Sequence, residues 1–165
     1  MWKAIVITFA ITAAFSDLRW RKIPRVLTVG GFVAGLVYHG INGGFLSALG
    51  AAIVGFGIGI ALFSLGAIGG GDVKLIAALG AMLGFPSWSY AMLVSILAAG
   101  LIALVQVIRL RVLRRTLHNM AEILRSFYKA GLRQHPDLNV SNPSMVRSPF
   151  GVAAALGTVA AVFRL

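Results

Sequence analysis

Long apolar runs separated by short polar or glycine-rich breaks make up most of the chain. The first runs from Trp2 to Ser16 and is followed by Asp17 and a basic loop. Pro24 stops any continuing helix, because proline lacks an amide proton and clashes with the preceding turn. Val26–Ile41 is the second run, ended by Asn42-Gly43-Gly44, and Phe45 to about Ile68 is the third, closed by Gly69-Gly70-Gly71. The fourth, Val73–Phe85, is short and stops before Pro86. Tyr90–Ile108 is the fifth, with Trp88 at its entrance, and Phe150–Phe163 is the sixth. Barrel strands would alternate apolar and polar positions, whereas these runs are apolar throughout, and a helix satisfies its own backbone in hydrocarbon. The pattern predicts an all-α, polytopic transmembrane bundle of about six spans, a single membrane-embedded domain over residues 1–165.

Residues 109–149 interrupt this pattern. Leu113, Leu117, Met120, Leu124 and Phe127 recur at helical spacing among Arg111, Arg114, Arg115, Arg125 and Lys129. That spacing predicts an amphipathic helix lying on an anionic lipid surface. From Gln134 to Pro149 the His-Pro, Asn-Pro and Ser-Pro pairs predict an irregular loop.

Composition agrees with a membrane solvent: 59% of residues are hydrophobic and 12% charged, against about 45–50% and about 25% in soluble domains. The mean hydropathy is +0.91. With no cysteine, the chain has no disulfide, thiol nucleophile or Cys-based metal site, and His39, His118 and His135 stand in no ligand spacing. No metal and no cofactor are expected. The net charge of +11 is concentrated. Four basic residues lie in 19–25 (Arg19, Arg21, Lys22, Arg25) and eight in 109–147. The positive-inside rule makes both stretches cytoplasmic and sets the termini and the turns at 42–44 and 85–89 outside. Lys3 is the lone charge at the amino-terminal end of the first run and faces four positives downstream, which favours a retained first helix over a cleaved signal sequence. Because the basic residues flank apolar runs, anionic lipid rather than nucleic acid is the expected partner.

Only four residues are acidic: Asp17, Asp72, Glu122 and Asp137. The first two adjoin spans, where an ionisable group costs about 2.5–3.5 kcal/mol and is by default a functional candidate. Asp17 closes the first span and Asp72 opens the fourth, so both fall on the cytoplasmic side. At about 1.5 Å per residue, Val73–Phe85 covers about 20 Å of a hydrocarbon core about 30 Å thick, which sets Asp72 below the interface. A helix continuing from Trp2 to about Arg21 likewise holds Asp17 roughly one turn inside. Two carboxylates meeting there are what aspartyl proteolysis needs, one taking a proton from water and the other donating to the peptide carbonyl. Structural readings stand beside this: Asp72 as an N-cap, and Asp17 in an ion pair with Arg19 or Arg21. Gly69, Gly70 and Gly71 are either a plain turn or a bare backbone that a substrate strand can approach. Lys74 and Arg19 are supporting candidates, although Lys74 falls on a different helix face from Asp72 and can snorkel to the headgroups.

At the two aspartates the sequence resembles a known family. Gly70-Gly71-Asp72-Val73-Lys74-Leu75 looks like the GxGD motif of type IV prepilin peptidases. Asp17-Leu18-Arg19-Trp20-Arg21-Lys22-Ile23-Pro24 looks like their first-aspartate motif, and Ser148-Pro149-Phe150-Gly151 is similar to the element opening their last helix. The resemblance implies an intramembrane aspartyl endopeptidase, with Asp17 and Asp72 catalytic, that cuts the short basic leader from prepilin or pseudopilin substrates at the cytoplasmic face of the bacterial inner membrane. Arg25 stands where the family usually has Asn. The cysteine-containing domain of larger members has no counterpart, which implies the short type associated with Flp/tight-adherence pili and no methyltransferase activity. The alternatives are a small ion- or proton-coupled transporter and a catalytically inactive scaffold of a pilus or secretion assembly.

Overall fold

The computed structural model describes residues 1–110 and 149–164. These form six α-helices and no strand: α1 (Trp2–Trp20), α2 (Arg25–Ile41), α3 (Phe45–Ser64), α4 (Gly70–Leu83), α5 (Ser87–Arg109) and α6 (Phe150–Arg164). Each apolar run has become one helix. The amphipathic helix expected around Leu113–Phe127, and nearly all of the loop to Pro149, lie outside the described residues.

Helix ends depart from the expected boundaries for local reasons. α1 continues past Ser16 until Arg21 turns left-handed at φ 50° and its N–H donates to the Asp17 carbonyl. The Ser16 hydroxyl donates to the Lys22 carbonyl at 2.7 Å, folding the basic loop back on the helix that precedes it. α3 stops at Ser64 rather than near Ile68, and α4 begins at Gly70, ahead of Val73. Asp72 is therefore inside α4, and the N-cap expected at that residue is Gly69 instead.

Two helices, α3 and α5, are long and apolar enough to cross a membrane, while α2 and α6 are shorter apolar helices. α1 carries Lys3, Asp17 and Arg19, and α4 has 14 residues. Length and apolarity thus support a helical bundle but mark two spans, where the pattern of runs predicted about six.

Small residues line much of the interior beside the bulky Leu75, Leu79, Met82 and Trp88, and many large apolar side chains lie outside. Ala13, Ala48, Ala51, Ala78, Ala81, Ala91, Ala153 and Thr158 are buried, whereas Ile11, Phe15, Val37, Phe56, Leu97 and Leu101 face outward. Small interior residues let backbones approach closely when the surroundings are as apolar as leucine. α4 is the central helix: from Val73 to Leu83 every residue except Lys74 is buried. It packs between α2 and α3, while α6 packs between α1 and α5, and the two trios touch where α4 meets α6, α5 and α1 and where α1 meets α2. A Cβ on Gly80 of α4 would lie 2.7 Å from the Ala51 backbone of α3. A Cβ on Gly157 of α6 would overlap Ser95 and the Ala91 carbonyl of α5.

Indoles tie the helices at depth. Trp88 Nε1 donates to the Ile76 carbonyl at 3.3 Å, and Trp2 Nε1 donates to the Met82 carbonyl at 3.1 Å. His39 Nε2 also reaches the Met82 carbonyl, at 3.2 Å. Since a carbonyl only accepts, that nitrogen carries the proton. The Trp2 bond joins the start of α1 to the end of α4, so the two helices run antiparallel and the end of α1 meets the start of α4.

Candidate active site

Asp17 lies in the last turn of α1, half-buried, where the negative pole of its own helix disfavours a carboxylate. The compensation comes from another element. Asp17 Oδ2 accepts the Gly151 N–H at 2.7 Å. Gly151 is in the first turn of α6, where backbone N–H groups lack intrahelical partners and the dipole favours negative charge. A Cβ at Gly151 would lie 2.8 Å from Asp17 Cβ and 2.9 Å from Oδ2, so this approach requires glycine.

Asp72 is the third residue of α4. Its Oδ2 reaches back to accept the Gly69 N–H at 3.0 Å, while its own N–H donates to the Gly69 carbonyl at 3.0 Å. The carboxylate half of a capping box is thus present, and glycine at the cap leaves the other half empty. Each aspartate uses Oδ2 for its backbone bond, and among the described residues Oδ1 has no donor in either.

Both aspartates line one cavity of about 360 Å³, together with Gly69, Gly71, Arg21, Ile23, Gln106 and Phe150. Residues of α1, α4, α5 and α6 contribute, so the cavity sits where the two helix trios meet. Of the other candidates, Gly69 and Gly71 reach the cavity and Gly70 is exposed in the first turn of α4. A Cβ at Gly71 would come no closer than 3.7 Å to Ile23, and one at Gly70 no closer than 3.8 Å to Phe63. These are ordinary contacts, and packing among the described residues does not demand glycine at either position.

Arg19 is exposed and does not line the cavity. Lys74 is also exposed and borders a separate apolar groove with Val29, Phe32, Ile53 and Phe56, on another side of α4. Among the described residues no ion pair joins either aspartate to Arg19, Arg21 or Lys74. Nor does any group of three or more His, Cys, Asp or Glu side chains gather there.

A family model described as the type IV leader peptidase family matches residues 4–104. The chain belongs to the type IV leader peptidase family. The matched region takes in most of α1, all of α2 to α4 and most of α5, and with them both aspartates and Gly69–Gly71. Family membership makes the general chemistry peptide hydrolysis. Comparison with curated proteins and with solved structures gives no match.

Two residues at this site, Gly151 beside Asp17 and Gln106 in the cavity wall, escape a reading of the sequence. Gly151 was visible only as part of an element similar to the family's last helix, and its bond to Asp17 spans 134 positions. Gln106 was not singled out at all. Its Oε1 is buried without a hydrogen-bond partner among the described residues. The available signal was a lone carboxamide in the apolar run Ile96–Ile108, whose other members are Ala, Gly, Leu, Ile and Val.

Proposed function

We propose that the chain is an intramembrane aspartyl endopeptidase that cuts the short basic leader from prepilin-like substrates at the cytoplasmic face of the bacterial inner membrane. Asp17 and Asp72 are its catalytic pair. The observation that carries this reading is that carboxylates from two helices far apart in sequence line one cavity, each with Oδ2 held by a backbone N–H.

The chemistry needs one ionised and one protonated carboxyl. The ionised group takes a proton from water as the water oxygen bonds to the scissile carbonyl carbon, and the protonated group gives its proton to the carbonyl oxygen. When that tetrahedral centre collapses, the C–N bond breaks, the leaving nitrogen takes a proton from the acid formed in the first step, and the aspartate that protonated the carbonyl oxygen takes a proton back from a hydroxyl of the centre. The products are a free carboxyl group and a free amine, with both aspartates ready for another cycle. Gly69 and Gly71 leave the cavity wall without side chains, which suits an extended peptide. Six spans with the amino terminus outside would put 19–25 and 109–149 in the cytoplasm. α4, at 14 residues, covers about 21 Å of a core about 30 Å thick, which would set the cavity slightly below the headgroups.

Co-expression with a candidate prepilin tests the reading. The wild type should yield a shortened product on a gel, and Asp17→Asn and Asp72→Asn should each slow cleavage by at least about 10²-fold, the scale of a lost acid or base, while inserting normally. An unshortened substrate with the wild type, or full activity in either variant, would overturn it.

A further inference from the structure

We infer that Gln106 anchors the substrate backbone: its carboxamide accepts a peptide N–H from the segment lying across the two aspartates. The inference rests on the peptidase reading above and adds a binding residue to it. Gln106 is the α5 residue that lines the cavity, and its Oε1 is buried with no donor among the described residues. A buried acceptor without a partner is costly, and native proteins seldom retain one unless something outside the resting fold completes it. The backbone donors nearest the chemistry are already engaged, Gly69 N–H on Asp72 and Gly151 N–H on Asp17. Among the described residues no donor is in place for Gln106 Oε1, and a peptide entering the cavity brings one.

A peptide in extended form meets this need. It presents N–H and C=O groups in alternation along its length, whatever its side chains. A carboxamide carries an acceptor and two donors on a planar group, so it matches a peptide unit as another strand would. The adjoining wall at Gly69 and Gly71 has no side chain to hold that backbone away. Gln106 would act by holding the chain in register over the carboxylates, strengthening substrate and transition state alike, which is an effect on KM rather than on kcat.

The test uses the full-length protein in detergent with a synthetic prepilin-like peptide containing the leader and the start of the mature segment. Gln106→Met keeps the length and removes the acceptor. It should raise KM about tenfold, leave kcat within about twofold, and leave the melting temperature unchanged or higher, because the unpaired oxygen is gone. Replacing single peptide N–H groups by ester oxygens around the scissile bond should expose one position where the wild type loses about tenfold in kcat/KM and Gln106→Met loses nothing further. An unchanged KM, a fall in kcat alone, or an ester penalty that persists in the variant overturns the inference. If Gln106→Met does not fold, the wild-type ester series still decides: no sensitive position overturns it. An Asp72→Asn background separates the two readings. There the uncut peptide should bind about tenfold more weakly once Gln106→Met is added; equal binding sinks the Gln106 anchor, whereas absent cleavage by the wild type sinks the peptidase reading.

Discussion

At Gly151 the difference between a hydrogen atom and a methyl group decides where a carboxylate sits. An alanine Cβ there would lie 2.8 Å from Asp17 Cβ, so Asp17 or the start of α6 must move. Misplacing a reacting group by about 1 Å costs on the order of 10²-fold in rate. Gly151→Ala should therefore cut single-turnover cleavage by about that factor at normal protein level and helix content; an unchanged rate would remove the Asp17–Gly151 bond from the catalytic geometry. The two aspartates were legible in the sequence because acids are so rare here and so expensive next to an apolar run. Gln106 and the donor role of Gly151 were not. Both depend on which helices become neighbours, and neither a carboxamide nor a glycine announces a partner lying across the bundle.

Helices as units were the most legible part of the chain, since proline and glycine punctuate apolar runs wherever the backbone must turn. Their ends were less so. α4 starts early because Asp72 reaches back to the Gly69 N–H, and α1 runs late because Arg21 accepts a left-handed conformation while Ser16 holds Lys22. Packing between elements gives a second prediction. The α3–α4 contact at Gly80 is backbone against backbone, with a Cβ 2.7 Å from Ala51, so Gly80→Ala must separate the helices. Overpacking of this kind costs about 1–3 kcal/mol and should appear as a lower melting temperature. Gly80 stands eight positions after Asp72 in α4, roughly 12 Å along the helix. Cleavage per folded molecule should consequently suffer less than in Gly151→Ala, and equal losses in the two variants would show that the helix contact and the cavity are not separable.

Across the whole molecule, the distribution of basic residues predicted an orientation, and it is testable on α2 alone. The chain has no cysteine, so single cysteines at Lys22 and Asn42 can be labelled without background. They should react with an impermeant reagent from opposite sides of the membrane; labelling of both in intact cells would refute the arrangement. What the sequence concealed at this scale was the grouping of α2, α3 and α4 against α1, α5 and α6. Helices of similar apolarity do not advertise which neighbours they choose, and the close contacts rest on small residues that look alike in a list of alanines and glycines. That same small-residue interior has a consequence for how the gene can drift. In a soluble enzyme the surface is permissive and the core demands bulk. Here the bulky exterior positions, such as Val37, Leu97 and Leu101, should exchange freely among aliphatic residues, while a single added methyl at Ala78 or Ala91 should be rejected. A saturation scan scored by membrane-inserted protein would then give a tolerance map with its sensitive sites at the least conspicuous residues.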